Sequence, residues 1–412
     1  METIIEANAT NHNSSLQITT SNRGVVWLDQ VSAMPLDTYK GHGFRSDLFQ
    51  MVANLKPKFF RFPGGCFVEG NYLKNAFRWK DIVGPWEERP GHFNDVWGYW
   101  TDDGFGFFEG LQLSEDLGAF PVWVFNNGIS HNDQVNTTAI SPFVQEALDG
   151  IEFARGSPTS QWGSLRASMG HPEPFDLRFV GVGNEDCGKY NYLGNYLKFY
   201  EAIKRTYPDI QIISNCDGSD QPLNHPADLY DFHIYANSKD MFSKYTKFDN
   251  APRSGPKAFV SEYAVQKEDA GAGSLLAAVA EAAFLIGLEK NSDIVQMVAY
   301  APLFLNTNDR SSIVASAIEY KNSQDGKNYL KVKVVNFGNT IENIGISIHG
   351  LNSSVQPFGS SMTVLTSPNI MDENSFSKPN KIVPQGTSLE NASKDMNVGL
   401  LPYSITSFDL LI

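Results

Sequence analysis

The pattern of hydrophobic and polar positions along the chain changes near residue 310. Before that point, stretches with apolar residues at helical spacing, such as Arg45–Leu55, precede short apolar runs that stop at turn-forming residues, such as Lys58–Phe62 before Pro63. Alternating strands and helices predict a parallel sheet. Six further strand-like runs are Phe120–Phe125, Arg178–Gly183, Ile210–Ser214, Tyr230–Tyr235, Lys257–Glu262 and Ile294–Tyr300, with helical stretches at Phe107–Leu117, Leu193–Thr206 and Leu275–Glu289.

The seven predicted strands are one fewer than a closed α/β barrel, the (β/α)8 TIM-type barrel, requires. The strand-like run nearest the N-terminus, Gly24–Ser32, is more typical of a β-sandwich. Between Tyr300 and the next strand-like run at Ile313 there is no room for a closing helix. We therefore expect residues 37–310 to form such a barrel without its first strand and last helix, preceded by the tail of a β-rich segment at 1–36.

From Ile313 onward the pattern is purely that of strands. Ile313–Tyr320 and Tyr329–Phe337 flank a Gln-Asp-Gly turn, which is typical of a β-hairpin. Alternation continues in Ile344–Ile348, Ser361–Leu365 and Ile405–Leu411. Residues 311–412 are therefore predicted to form a C-terminal antiparallel β-sandwich domain.

Composition narrows the classes of partner. The 412 residues are 42% hydrophobic, enough for a large core, and the net charge of −14 gives no attraction to nucleic acid. No apolar run is long enough to span a membrane, and the N-terminus lacks the basic start and apolar run of a signal peptide. The 3 cysteines predict no disulfide framework. Asn-X-Ser/Thr glycosylation acceptors occur at Asn8, Asn13, Asn136, Asn352 and Asn391.

Two carboxylates stand where barrel enzymes carry their chemistry, at the C-terminal ends of strands. Glu185 follows Arg178–Gly183, and Glu262 ends Lys257–Glu262. In an eight-strand barrel these would be strands four and seven, which lie across the barrel mouth. Glycoside hydrolysis needs two carboxyl groups, one to protonate the leaving oxygen and one to attack or to activate water. The alternative for either residue alone is an ordinary salt-bridged or solvated glutamate.

Five neighbouring residues are candidates for substrate binding. Asn184 offers an amide to a sugar hydroxyl, although it would also suit a turn. His233 and Tyr235 are two positions apart on one strand and share a face, where a phenol can orient a carboxylate, although each would also suit a structural polar position. Arg61 lies in a barrel strand and needs an acidic partner. Cys66 follows the Gly-Gly turn and either faces the pocket or packs as an inert thiol.

No metal or cofactor is predicted. Asp186, Cys187 and His131 lack the spacing of metal ligands, and neither a phosphate-binding glycine loop nor a nucleophile elbow is present in the sequence. Nothing in the sequence indicates an oligomeric state.

Five segments together resemble the plant α-L-arabinofuranosidases of glycoside hydrolase family 51. They are Arg61-Phe-Pro-Gly-Gly-Cys-Phe-Val-Glu-Gly-Asn, Phe77-Arg-Trp-Lys, Gly84-Pro-Trp-Glu-Glu-Arg-Pro-Gly, Val180-Gly-Val-Gly-Asn-Glu-Asp-Cys-Gly and Phe259-Val-Ser-Glu-Tyr-Ala. The resemblance covers roughly residues 20–310 and the C-terminal β segment. It implies a retaining enzyme in which Glu185 is the acid/base, Glu262 the nucleophile, and Asn184, Tyr235 and Cys66 pocket residues.

The resemblance also implies a substrate and a setting. The substrates would be terminal arabinofuranosyl residues of arabinoxylan, arabinan or arabinogalactan, and the setting a secreted protein of the cell wall. Against the family pattern, the chain lacks the signal peptide, the first barrel strand, most of the inserted carbohydrate-binding sandwich and the stretch that should join Asn308-Asp-Arg to Ser311-Ser-Ile, where the closing helix belongs. Two alternatives to an active arabinofuranosidase are a catalytically silent shortened form and another barrel glycosidase such as a β-xylosidase.

Overall fold

Two units make up the chain, residues 1–303 and residues 304–412. The structure is a computed structural model, and it describes residues 35–412 apart from 267–268, 271–273, 302, 304–312, 323, 337–338, 349–350, 352, 370–371, 373–377 and 379. The predicted strand at Gly24–Ser32 and the stretch where a closing helix was predicted to be absent lie outside the described residues.

Strands and helices alternate in the described part of the first unit. The strands are β1 (Phe59–Phe62), β2 (His92–Asn94), β3 (Tyr99–Thr101), β4 (Phe120–Phe125), β5 (Phe179–Val182), β6 (Gln211–Ser214), β7 (Leu229–Ala236), β8 (Lys257–Val265) and β9 (Val295–Val298). The α-helices are α1 (Ser46–Asn54), α2 (Phe107–Asp116), α3 (Ser141–Arg155), α4 (Gln161–Ser168), α5 (Tyr192–Thr206), α6 (Ser238–Ser243) and α7 (Leu275–Lys290). Short 3-10 turns lie at Tyr39–Gly41, Gly65–Phe67, Leu73–Asn75, Trp79–Ile82, Trp86–Glu88, Thr137–Ala139 and Lys244–Thr246.

Seven of these strands form one parallel sheet in the order β1-β4-β5-β6-β7-β8-β9. The sheet is curled. Its curvature brings the rings of Phe59 on β1 and Phe259 on β8 edge to face, with centroids 5.4 Å apart. In a flat sheet, five strand spacings would separate these two strands by about 24 Å. Every strand of the sheet contributes to the cluster inside the curl, through Phe59, Val122, Phe179, Ile213, Leu229, Phe259 and Met297. A curled parallel sheet with a filled interior confirms the predicted fold class as a barrel of the TIM type, with seven strands among the described residues.

Helices cover the outer face of the sheet. Successive strand residues point to opposite sides, so each strand places some side chains inside the curl and others against the helices. On β4, Val122 points into the curl while Trp123 and Phe125 join the outer core with α2, α3 and α5. On the far side α7 packs Phe284 against the outer face of β7 and β8. None of the described helices combines the length and the apolar character that crossing a membrane requires.

The described part of the second unit consists of antiparallel strands. They are β10 (Ile313–Lys321), β11 (Asn328–Asn336), β12 (Glu342–Ser347), β13 (Ser360–Leu365), β14 (Gln385–Leu389), β15 (Asp395–Leu400) and β16 (Ser404–Leu411). One sheet has the order β10-β11-β16-β13-β14, and β12 pairs with β15 in another. Val334 of β11, Phe408 of β16 and Leu400 of β15 share one core, so the two sheets pack together as the predicted sandwich.

Candidate active site

The two candidate carboxylates lie at one end of the parallel sheet. Glu185 follows β5 by three residues, whereas Glu262 lies inside β8. The prediction that Glu262 ends its strand is wrong, because β7 is long enough to pair with β8 as far as Ala236 and Val265. One oxygen of Glu185 and one of Glu262 lie within 4.8 Å of each other. The structure therefore places the two predicted carboxylates close enough to act on the same bound group.

An unusual backbone path presents Glu185. Its φ is +51°, in the left-handed region that residues with a side chain rarely occupy, and Gly183, two residues earlier, has a φ of +82°. A Cβ on Gly183 would lie 2.6 Å from Asn127 Nδ2 and 2.7 Å from Asn215 Nδ2. Asn184, between the two, is completely buried. Non-glycine residues held in this conformation concentrate at functional sites, where surrounding contacts enforce them.

A β-bulge determines where two side chains of β8 point. The register between β7 and β8 runs from Phe232 opposite Val260 directly to His233 opposite Glu262, so Ser261 is an extra residue. Consequently Ser261 and Glu262 both reach the side chains of β7, although neighbouring strand residues normally point to opposite faces.

Glu262 is held by two donors. Arg61 on β1 donates from Nη1 to Glu262 Oε1 at 2.8 Å, and Tyr235 on β7 donates its hydroxyl to Oε2 at 2.6 Å. Arg61 also donates from Nη2 to Asn184 Oδ1 at 2.8 Å. Burial, and then the bond to Glu262, raise the pKa of Tyr235, so the phenol remains a donor. The predicted acidic partner of Arg61 is therefore Glu262.

His233 links Glu185 to a buried acid. Its Nδ1 lies 2.7 Å from Glu185 Oε1, and its Nε2 lies 3.1 Å from Asp231 Oδ2 and 2.8 Å from Ser261 Oγ. Burial alone would lower the pKa of His233, but the charge of Asp231 and the bonds to Asp231 and Glu185 raise it to about 10. The hydrogen bond from His233 in turn lowers the pKa of Glu185. At neutral pH the free site therefore holds an imidazolium beside an ionised Glu185.

Glu69 is a site residue that we did not predict. Asn184 Nδ2 donates to Glu69 Oε1 at 3.2 Å, and burial raises the pKa of Glu69 to about 8. Its position three residues after Cys66, in the loop that follows β1, is a signal that could have identified it. Burial, and then the negative charges of Glu69, Glu185 and Glu262, raise the pKa of Cys66 to about 12. The thiol is thus protonated and inert as a nucleophile.

The cysteines also require a correction. Cys187 and Cys216 form a disulfide with Cα atoms 5.1 Å apart, although we predicted no disulfide framework. The physical reason is the topology: these residues follow β5 and β6, which are neighbours in the sheet, so their loops meet at the same edge. Sequence spacing does not reveal this proximity.

An aromatic cavity of about 430 Å³ adjoins Arg61. Its lining includes Trp97 and Tyr99 near the β2–β3 hairpin, and Phe105. Trp97 is 61% exposed, which is high for so large an apolar side chain. The sugar ring has an apolar C–H face, so such a surface is suited to binding carbohydrate.

The chain matches two family models and several known proteins. The family model described as the alpha-L-arabinofuranosidase 1 domain matches residues 51–253, and that of the alpha-L-arabinofuranosidase C-terminal domain matches residues 261–325. Alpha-L-arabinofuranosidase 1 of Arabidopsis thaliana is 59% identical over 100% of this chain and 67% of its own length. That match extends over 454 positions, 42 more than the 412 residues of the chain, so the relative carries residues inside the matched region that this chain lacks.

More distant proteins extend the comparison. An extracellular exo-alpha-L-arabinofuranosidase of Streptomyces chartreusis is 38% identical over 70% of this chain and 38% of its own length. An arabinose-bound α-L-arabinofuranosidase of glycoside hydrolase family 51 has a solved structure with 28% identity and a TM-score of 0.61. The match covers 91% of this chain and 68% of that one.

Proposed function

The chain belongs to the alpha-L-arabinofuranosidase family of glycoside hydrolases, and on this premise we propose that it removes terminal, non-reducing α-L-arabinofuranosyl residues with retention of configuration. The observation that carries this proposal is the separation of Glu185 and Glu262, which have oxygens within 4.8 Å of each other. Retaining glycosidases hold their carboxyl groups about 5–5.5 Å apart, whereas inverting enzymes need about 6.5–9.5 Å to admit a water molecule.

In the first step Glu262 attacks the anomeric carbon while Glu185 protonates the departing glycosidic oxygen. The bond from the anomeric carbon to the leaving oxygen breaks, and an ester to Glu262 forms. In the second step Glu185 accepts a proton from water, which displaces Glu262 and regenerates the carboxylate. Arg61 and Tyr235 fix the nucleophile from two directions, so its attack geometry is set before the substrate arrives.

Asn184 is suited to hold the sugar. Its Oδ1 accepts from Arg61, and one hydrogen of its Nδ2 goes to Glu69. We propose that the second hydrogen of Nδ2 bonds the substrate 2-hydroxyl once substrate binding uncovers this buried side chain, a bond that strengthens in the oxocarbenium-like transition state. His233 serves as a charge partner of Glu185, while Cys66 lines the pocket wall as an inert thiol.

For the natural substrate we propose arabinose-containing polysaccharides and oligosaccharides of the cell wall, namely arabinoxylan, arabinan or arabinogalactan. The aromatic cavity lined in part by Arg61 supports a polymeric substrate, because it offers aromatic faces to which further sugars can bind. An extracellular location is supported by the extracellular relative of Streptomyces chartreusis and by the Cys187–Cys216 disulfide, since disulfides persist in oxidising compartments.

The test is hydrolysis of nitrophenyl α-L-arabinofuranoside by the full chain and by Glu262→Gln, with the anomeric form of the first product determined by NMR. We expect retention, and a loss of at least about 1000-fold in kcat for Glu262→Gln, as for other removed nucleophiles. Glu201→Gln on the exposed face of α5 is the matched control and should retain full activity. Inversion, equal activity in Glu262→Gln, or a preference for nitrophenyl β-xyloside would overturn the proposal.

A further inference from the structure

A second cluster of ligand-type side chains is linked to the catalytic pair through Asn184, which accepts from Arg61 and donates to Glu69. Cys66, Glu69 and His131 each place one sulfur, oxygen or nitrogen atom within 4.8 Å of the other two. The hydrolytic mechanism assigns no chemistry to the thiol of Cys66 or to the imidazole of His131. Sulfur, carboxylate oxygen and imidazole nitrogen are the donor atoms that Zn²⁺ and related cations select.

The hydrogen bonds of His131 direct one ring nitrogen toward this cluster. Asn71 donates from Nδ2 to the Asp95 carbonyl at 2.6 Å, which turns Asn71 Oδ1 toward His131 Nδ1 at 3.1 Å. Because Oδ1 can only accept, Nδ1 carries the hydrogen, and the neutral ring has its lone pair on Nε2. That nitrogen faces Glu69 Oε1 at 3.2 Å. A ring whose other nitrogen donates to an oxygen is the usual arrangement of a metal-bound histidine.

Glu69 supplies the second, independent observation. The residue is only 2% exposed, and its Oε1 accepts from Asn184 Nδ2 and lies 3.2 Å from His131 Nε2. Its Oε2 is buried and has no hydrogen-bond partner among the described residues. Buried polar atoms are satisfied in the great majority of cases, so an orphaned carboxylate oxygen beside a thiol and an imidazole calls for a ligand.

We propose that Cys66, Glu69 and His131 form a binding site for a thiophilic divalent cation of the Zn²⁺ class, with a fourth position open. Donor atoms on one tetrahedral Zn²⁺ lie about 3.3–3.8 Å from one another, so three side chains already within reach need only a small contraction. Since Glu69 also holds Asn184, a bound cation would alter the contact that positions the sugar. The binding site itself does not depend on the proposed hydrolytic activity.

The test is titration of the full chain with Co²⁺, which reports a thiolate ligand by a charge-transfer band in the near ultraviolet. We expect one equivalent to bind with that band, Zn²⁺ to displace it, and Cys66→Ser to abolish it. His131→Gln should weaken binding at least tenfold, whereas His171→Gln, a histidine paired with Glu115, should leave it unchanged.

Other outcomes would overturn the proposal. One is the absence of the band in a chain that melts cooperatively. A band that persists in Cys66→Ser is another. Glu185, His233 and Glu262 also have donor atoms within 4.8 Å of one another, so the titration includes Glu262→Gln. Binding that is lost in Glu262→Gln but retained in Cys66→Ser would place the cation at the catalytic carboxylates instead.

Discussion

Replacing Tyr235 by Phe removes one hydroxyl from the catalytic site and little else. That hydroxyl donates to Glu262 Oε2 at 2.6 Å, and Arg61 still holds the other oxygen at 2.8 Å. A hydrogen bond to a charged group contributes about 1.5–3 kcal/mol, and each 1.4 kcal/mol corresponds to a factor of ten in rate. If the bond serves to aim the nucleophile, we expect kcat/KM to fall by about 10–150-fold.

The assay compares kcat/KM on nitrophenyl α-L-arabinofuranoside for the parent chain and Tyr235→Phe. Tyr320→Phe is a matched control, since it removes a phenol that donates to Asp409 at 2.8 Å in the second unit. Thermal melts should show both variants folded. A loss of less than about threefold in folded Tyr235→Phe would refute the reasoning, because it would mean that Arg61 alone orients Glu262.

Three further predictions address charge, covalent structure and the extended surface. In His233→Asn the pKa of Glu185 should rise, because its cationic partner is gone. Glu185 then stays protonated to higher pH, and we expect the alkaline limb of the kcat/KM profile to move to higher pH. An alkaline limb at the same pH would contradict this reasoning. Replacing Cys187 and Cys216 together by Ser should lower the free energy of unfolding by about 3–4 kcal/mol for a loop of 29 residues, measured by urea denaturation, and an unchanged midpoint would argue against the disulfide. In Trp97→Ala we expect KM to rise about fivefold on arabinan, which corresponds to about 1 kcal/mol from one aromatic contact, but to stay constant on the nitrophenyl substrate. Equal effects on both substrates would count against a polymer-binding surface.

The barrel strands could be predicted because each is a short apolar run bounded by turn residues. β4 begins and ends where its apolar run does, at Phe120 and Phe125, and the other predicted barrel strands differ by at most three residues at either end. The helices α3 and α4 were not predicted, since Gly150, Gly163 and several polar residues interrupt their apolar spacing. Tertiary packing of Ile151 and Phe153 against the outer core stabilises α3 where local pattern is weak.

Only the site residues that lie near predicted strand ends could be predicted from the sequence. Glu185 and Glu262 follow from their places toward the C-terminal ends of two predicted strands, and the pairing of Arg61 follows from the cost of a buried unpaired charge. The bulge at Ser261 leaves no mark in the sequence, because a strand with one extra residue has the same composition as a regular one. The partnership of Glu69 with Asn184 joins residues 115 positions apart, and local reasoning contains no information about it.

For the proposed mechanism, the charges around Glu185 explain how one carboxyl group can serve first as acid and then as base. In the free site, Arg61 and His233 carry two positive charges, and Asp231, Glu262 and an ionised Glu185 carry three negative charges. The sum is minus one, and protonating Glu185 brings it to zero. A bound sugar displaces water and makes an uncompensated charge more costly, so substrate binding favours the protonated donor that the first step needs.

In the proposed mechanism Glu262 is an ester after the first step, and its negative charge is gone. The same site is now neutral when Glu185 is ionised, so the base that activates water is the favoured form. The alternation follows from one count of charges. The positive charges of His233 and Arg61 stay constant, so forming or breaking the covalent bond to Glu262 changes the favoured protonation state of Glu185.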